Sequence, residues 1–146
     1  MKKQDILLII SVLVVALISL LGMNIYNKLN KEENITAEVY YDNTIILSIQ
    51  LNSNQYVINY GHKDASLVDV SKSFEGIYVV PGTNGPVTIQ VDQIKAMIKV
   101  EDEESPKHYC SIQGWTDSMF KPLTCLPNNL YIKIINSSDS NIEFEQ

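Results

Sequence analysis

The chain has 146 residues and a net charge of −6, with seventeen acids against eleven basic residues, every one of them lysine. Without arginine it lacks the planar two-pronged donor usual in phosphate and nucleic-acid recognition, and its acidity repels such partners. Nucleic-acid binding is therefore not expected. Setting aside the apolar N-terminal segment leaves roughly 110 residues, enough for one small domain and not two.

The first element is Ile6–Met23, ILLIISVLVVALISLLGM, free of charge and interrupted only by Ser11 and Ser19. As a helix rising about 1.5 Å per residue it spans roughly 27 Å, close to a hydrocarbon core of about 30 Å. A cleaved signal peptide is the competing reading. Its apolar region is shorter, about 7–15 residues, and ends in a small-x-small site. Gly22 with Leu20 two positions before it is a poor site of that kind. An uncleaved anchor is expected, with Tyr26 at the membrane interface.

Lys2 and Lys3 against Lys28 and Lys31 leave the orientation nearly balanced. A single N-terminal span before a compact domain suits signal-anchor export. From Glu32 onward sixteen acids face seven lysines, so the domain should not cling to an anionic inner leaflet. The expected layout is an anchor with its flank over 1–31, a β-rich extracytoplasmic domain over 32–135, and a polar tail over 136–146.

Within that domain, Ile35–Tyr41 and Thr44–Leu51 flank Asp42-Asn43 and predict a β-hairpin. Gln55–Tyr60 is a short strand candidate. Asp64–Phe74 suits a helix through Leu67, Val70 and Phe74, or a strand through LVDV; periodicity leaves both open. Ile77–Val80 precedes the turn-rich Pro81–Pro86. Val87–Val91 and Ile94–Val100 each alternate and predict a second hairpin. The acidic run Glu101–Glu104 reads as a solvated loop or strand end. It leads into a loop-like region, Ser105–Pro127, that holds both cysteines and the only tryptophan, and Leu130–Ile135 closes the domain. About seven short strands predict a mostly β ectodomain, a small sandwich or barrel.

Ser105-Pro106, Cys110, Gly114-Trp115 and Cys125-Leu126-Pro127-Asn128 before a final apolar strand form a recognisable pattern. It resembles the NusG-domain-II-like family of small membrane-anchored bacterial proteins over about Phe74–Ile135. The resemblance implies a compact β domain beside the membrane. It also implies an association with membrane redox and flavin-transfer systems of Gram-positive bacteria, and no transcription role. Ser105 stands where that family usually has its first cysteine, so thiol chemistry requiring three cysteines is not available here.

Cys110 and Cys125 enclose fourteen residues. An even pair in an exported domain favours a disulfide, worth about 3 kcal/mol in the chain-entropy view. Free thiols and a catalytic dithiol are the alternatives, although the adjacent C-x-x-C of redox enzymes is missing. Trp115, after Gly114, is expected to plug the core beneath this loop. The other reading makes it an interaction residue, with Tyr109 and Phe120 extending the same patch. His108 beside Cys110 and the acidic run could form part of a metal site. No repeated Cys/His spacing supports one, and no metal or cofactor is expected. No nucleotide loop, haem-attachment or hydrolase motif occurs.

The expectation is a non-enzymatic accessory or interaction module, held in the lipid bilayer and serving a membrane protein complex. The alternative is an accessory subunit of a membrane flavin or electron-transfer system that uses the cysteine loop.

Overall fold

The first hairpin turns where the sequence forces it. Asp42 and Asn43 both adopt left-handed backbone, φ 52° and 60°, the conformation a two-residue hairpin loop requires and Asx residues tolerate. The computed structural model describes residues 12–22, 35–53 and 55–136. Two units divide the chain, Met1–Glu33 and Asn34–Gln146.

In the first unit, residues 12–22 form a helix with its apolar side chains exposed. Among the described residues no helix is long and apolar enough to cross a membrane. The predicted anchor Ile6–Met23 extends past the described segment at both ends. Tyr26 and the tail beyond 136 also lie outside the described residues.

The second unit is mostly β. Its strands are β1 (Ile35–Tyr41), β2 (Thr44–Gln50), β3 (Tyr56–Ile58), β4 (Ile77–Val80), β5 (Val87–Asp92), β6 (Met97–Glu103), β7 (Leu123–Cys125) and β8 (Leu130–Asn136). They form two antiparallel sheets, β3-β2-β1-β8-β7 and β4-β5-β6. The sheets do not close into a barrel, which corrects that part of the expectation.

Alternation marks the inner face of β4, β5 and β8, whereas β1 and β2 are buried on both faces over Thr36–Val39 and Ile46–Gln50. Val39, Leu47, Ile49, Ile132 and Ile134 from the first sheet meet Tyr78, Val80, Ile89, Ile98 and Val100 from the second in one core, each at most 2 % exposed. Burying each such side chain stabilises the fold by roughly 1.5–3 kcal/mol.

Three segments depart from the periodicity. Asp64–Phe74 is neither helix nor strand: 3-10 turns at Ala65–Leu67 and Ser73–Glu75 flank a single bridge between Asp69 and Val79. The Asp92 carboxylate accepts the backbone N–H groups of Ile94 and Lys95. That turn delays β6 to Met97 and leaves Ile94 exposed. β7 lies in what reads as loop, since three residues are too few to show a period.

Tyr78 is fully buried, and its hydroxyl has no hydrogen-bond partner among the described residues. Burial, then the nearby Tyr56, push its pKa up to about 12. Tyr40, which donates to Glu38 at 2.8 Å, is pushed up to about 12 as well, chiefly by burial. Both shifts favour the neutral phenol in the folded state. Their contribution is complete below the ordinary value of 10.0 and is lost as pH rises through about 12. Tyr78→Phe should leave stability at pH 7 equal or higher, because an orphan hydroxyl is removed. It should also shrink the loss between pH 7 and pH 11, as read by denaturant unfolding at both values.

Candidate functional site

Glu103 is placed by a fault in strand register. Opposite β5, Asp102 pairs with Thr88 and Val100 with Ile89, so Glu101 is the extra residue of a β-bulge. Simple alternation from Ile98 and Val100 would turn Asp102 inward and Glu103 outward. One inserted residue reverses the faces. Glu101 and Asp102 are exposed, whereas Glu103 is 2 % exposed. The acidic run is thus not wholly solvated, which corrects the expectation.

The carboxylate of Glu103 meets the cysteine loop. Its Oε1 accepts the backbone N–H of Cys110 at 2.7 Å. Cys110 and Cys125 are joined in a disulfide with Cα atoms 5.0 Å apart, and both are buried. Cys125 Sγ lies 3.6 Å from Glu103 Oε2, a contact and not a hydrogen bond, since a disulfide sulfur carries no proton. No lysine or histidine pairs with Glu103 among the described residues.

The remaining partner comes from the CLPN element. Leu126–Asn128 forms a 3-10 turn, ended by Asn129 in left-handed backbone at φ 53°, and this turn links β7 to β8. Asn128 is fully buried. Its Nδ2 donates to Glu103 Oε2 at 3.1 Å and lies 3.4 Å from Cys125 Sγ, while its Oδ1 accepts the N–H of Asn84 at 3.0 Å. Thr83 N–H donates to the Asn128 carbonyl, and Asn84 Nδ2 to that of Pro127. The turn between β4 and β5 must come very close to do this. A Cβ at Gly82 would sit 2.9 Å from the side chain of Asn128. One asparagine therefore ties together the β4–β5 turn, the end of β6 and the β7–β8 turn.

The same loop is fastened along the edge of β7. Gln113 Nε2 donates to the Thr124 carbonyl at 2.7 Å and Oε1 accepts the Thr124 N–H at 3.0 Å. A side-chain amide thus takes the place of a neighbouring strand at an open edge. Around it Tyr109, Ile112, Leu126 and Pro127 line a shallow groove. Ile112 is 71 % and Leu126 81 % exposed. The disulfide and the Gln113 clamp thus fix a loop that holds two large aliphatic side chains in solvent.

Of the three predicted interaction residues, Tyr109 and Trp115 line different hollows. Tyr109 lines this groove, with the Lys107 ammonium 5.8 Å from its ring centre. Trp115 lines a different hollow with Phe74 and Ile94. Phe120 lines neither groove and is almost wholly exposed. His108, weighed as a metal ligand, is exposed and stands apart from the cluster of Glu103, Cys110 and Cys125.

Trp115 does not plug the core. It is 37 % exposed, with the Lys99 ammonium 4.8 Å over its ring, and Lys99 itself pairs with Glu101. The reason is the bridge next to it, where Thr116 and Ile98 exchange backbone hydrogen bonds at 2.9 Å. Thr116 takes the buried side of this stub and Trp115 the outer side. Trp115→Ala should cost about 1 kcal/mol, well short of the roughly 3–5 kcal/mol of a core aromatic. Its fluorescence should be readily quenched by a polar quencher.

Sequence reasoning misses Glu103 and Asn128 as a buried pair. The signal was the CLPN element itself, distinctive in the sequence but with no physical role attached to its asparagine.

No curated protein matches the chain. Among solved structures, a DUF1312 family protein from Enterococcus faecalis is 20 % identical, over 70 % of this chain and 98 % of its own, with a TM-score of 0.49. The crystal structure of the Lin0431 protein from Listeria innocua is 16 % identical, over 70 % of this chain and 97 % of its own, with a TM-score of 0.45. The NusG domain II family model matches residues 8–138. That match takes in the bulged β6, the disulfide loop and the CLPN turn alike. The chain belongs to the NusG domain II family.

Proposed function

We propose that this chain is a non-enzymatic accessory module, anchored by its N-terminus with its domain outside the cytoplasm, which docks onto a membrane protein complex. The observation that carries this reading is the groove at the cysteine loop, where Ile112 and Leu126 are 71 % and 81 % exposed on a loop locked by a disulfide and by Asn128. Exposed aliphatic side chains on a rigid loop suit recognition, because little conformational freedom is lost on binding. The anchor is supported by the charge-free run Ile6–Met23 and by the exposed apolar side chains of residues 12–22. Two sheets over a shared core support a small β-sandwich.

The runner-up is an accessory subunit of a membrane flavin or electron-transfer system. Both sulfurs are buried, which favours docking over thiol exchange in the folded domain. The test is Ile112→Asp with Leu126→Asp in the full-length protein. Loss of the co-purifying membrane protein with an unchanged melting temperature is expected. Retention of that partner would overturn the assignment of the groove.

A further inference from the structure

We propose that the domain, when its disulfide is reduced, binds one thiophilic divalent cation such as Zn²⁺ through Cys110, Cys125 and Glu103. A sulfur or carboxylate oxygen from each of these residues lies within 4.8 Å of the others, and all three residues are buried. Two thiolates with a carboxylate are a donor set that Zn²⁺ accepts, with water in the fourth position. This inference is independent of the docking groove, which uses the outer surface of the same loop.

The surroundings act as a second layer around such a site. The Cys110 N–H occupies Glu103 Oε1 at 2.7 Å, leaving Oε2 as the oxygen on the sulfur side, 3.6 Å from Cys125 Sγ. Asn128 Nδ2 reaches both that oxygen and that sulfur, at 3.1 and 3.4 Å. Its assignment as the nitrogen is fixed by chemistry, since the other end accepts the Asn84 N–H. Outer-layer donors of this kind hold ligands in orientation and tune affinity. Glu103 has no ion pair among the described residues that a cation would need to displace.

The chemistry balances simply. A phosphine breaks the S–S bond and leaves as its oxide, with one water supplying that oxygen and the two thiol protons. The ion then displaces both thiol protons. With two thiolates and one carboxylate the site carries a net charge of −1. Around a tetrahedral ion with Zn–S bonds of about 2.3 Å, the sulfurs move apart to roughly 3.7 Å. Cα atoms 5.0 Å apart allow that by side-chain rotation.

The test uses the full-length protein in detergent micelles, reduced anaerobically with a phosphine, freed of reductant and titrated with Co²⁺. One equivalent should bind, with a sulfur-to-cobalt charge-transfer band and the visible bands of a tetrahedral ion, both bleached by Zn²⁺. The oxidised protein should show neither. Glu103→Gln should weaken binding at least about tenfold, and Cys110→Ser, which leaves only the Cys125 thiolate, should weaken binding and at least halve the charge-transfer band of bound cobalt. No band in the reduced protein would overturn the proposal. So would equal affinity in Glu103→Gln, the result expected of a merely unfolded dithiol.

Discussion

Cys125→Ala is expected to lower the unfolding free energy of the domain by about 2–5 kcal/mol. The bridge joins residues 15 apart in sequence, so its loss frees a long loop in the unfolded chain. The folded state suffers too. Cys125 is 1 % exposed at the end of β7, and truncation there leaves a void beside Glu103. Cys110 would then face that void as a buried thiol. Denaturant unfolding of the two proteins, with the wild type two protons lighter than its reduced form by mass, measures the effect. An unchanged midpoint would mean that the bridge does not hold the loop.

Asn128→Ala is expected to cost about 3 kcal/mol, more than any surface asparagine. The substitution removes the side-chain donor to Glu103 Oε2 and the acceptor of the Asn84 N–H. A buried carboxylate stripped of a donor loses more than the hydrogen bond was worth, because water does not replace it. The cost should therefore depend on Glu103. In the Glu103→Leu background, Asn128→Ala should be far milder, since no buried carboxylate is then left without its donor. A double-mutant cycle by denaturant unfolding reads this directly. Additive effects of the two substitutions would show that the pair does not act as a unit.

The structure shows which parts of a sequence like this one are legible. The Asp42-Asn43 hairpin could be read because its loop chemistry and the flanking β-branched residues point the same way. Val87–Val91 and Leu130–Ile135 were legible for the same reason. Glu103 was not, because a bulge at Glu101 reverses the faces and no sequence period announces one extra residue. Asn128 was hidden differently. Its partners lie 25 and 44 residues away, so its burial depends on how three turns meet in space. Trp115 was misread because it is apolar and sits next to Gly114, whereas the side it faces is set by the Thr116 bridge to Ile98. The disulfide was legible as a pairing of two cysteines, yet nothing local indicated a carboxylate against it.

A photo-reactive residue at position 126, placed in full-length protein in intact cells with position 63 as the control, tests docking at the groove most directly. Leu126 lines the groove at the cysteine loop, and Lys63 is exposed in the segment after β3. One discrete protein adduct in the membrane fraction is expected from position 126, none from position 63, and loss of the adduct with Ile112→Asp. Adducts of equal yield from both positions, or an adduct that survives Ile112→Asp, would contradict docking there.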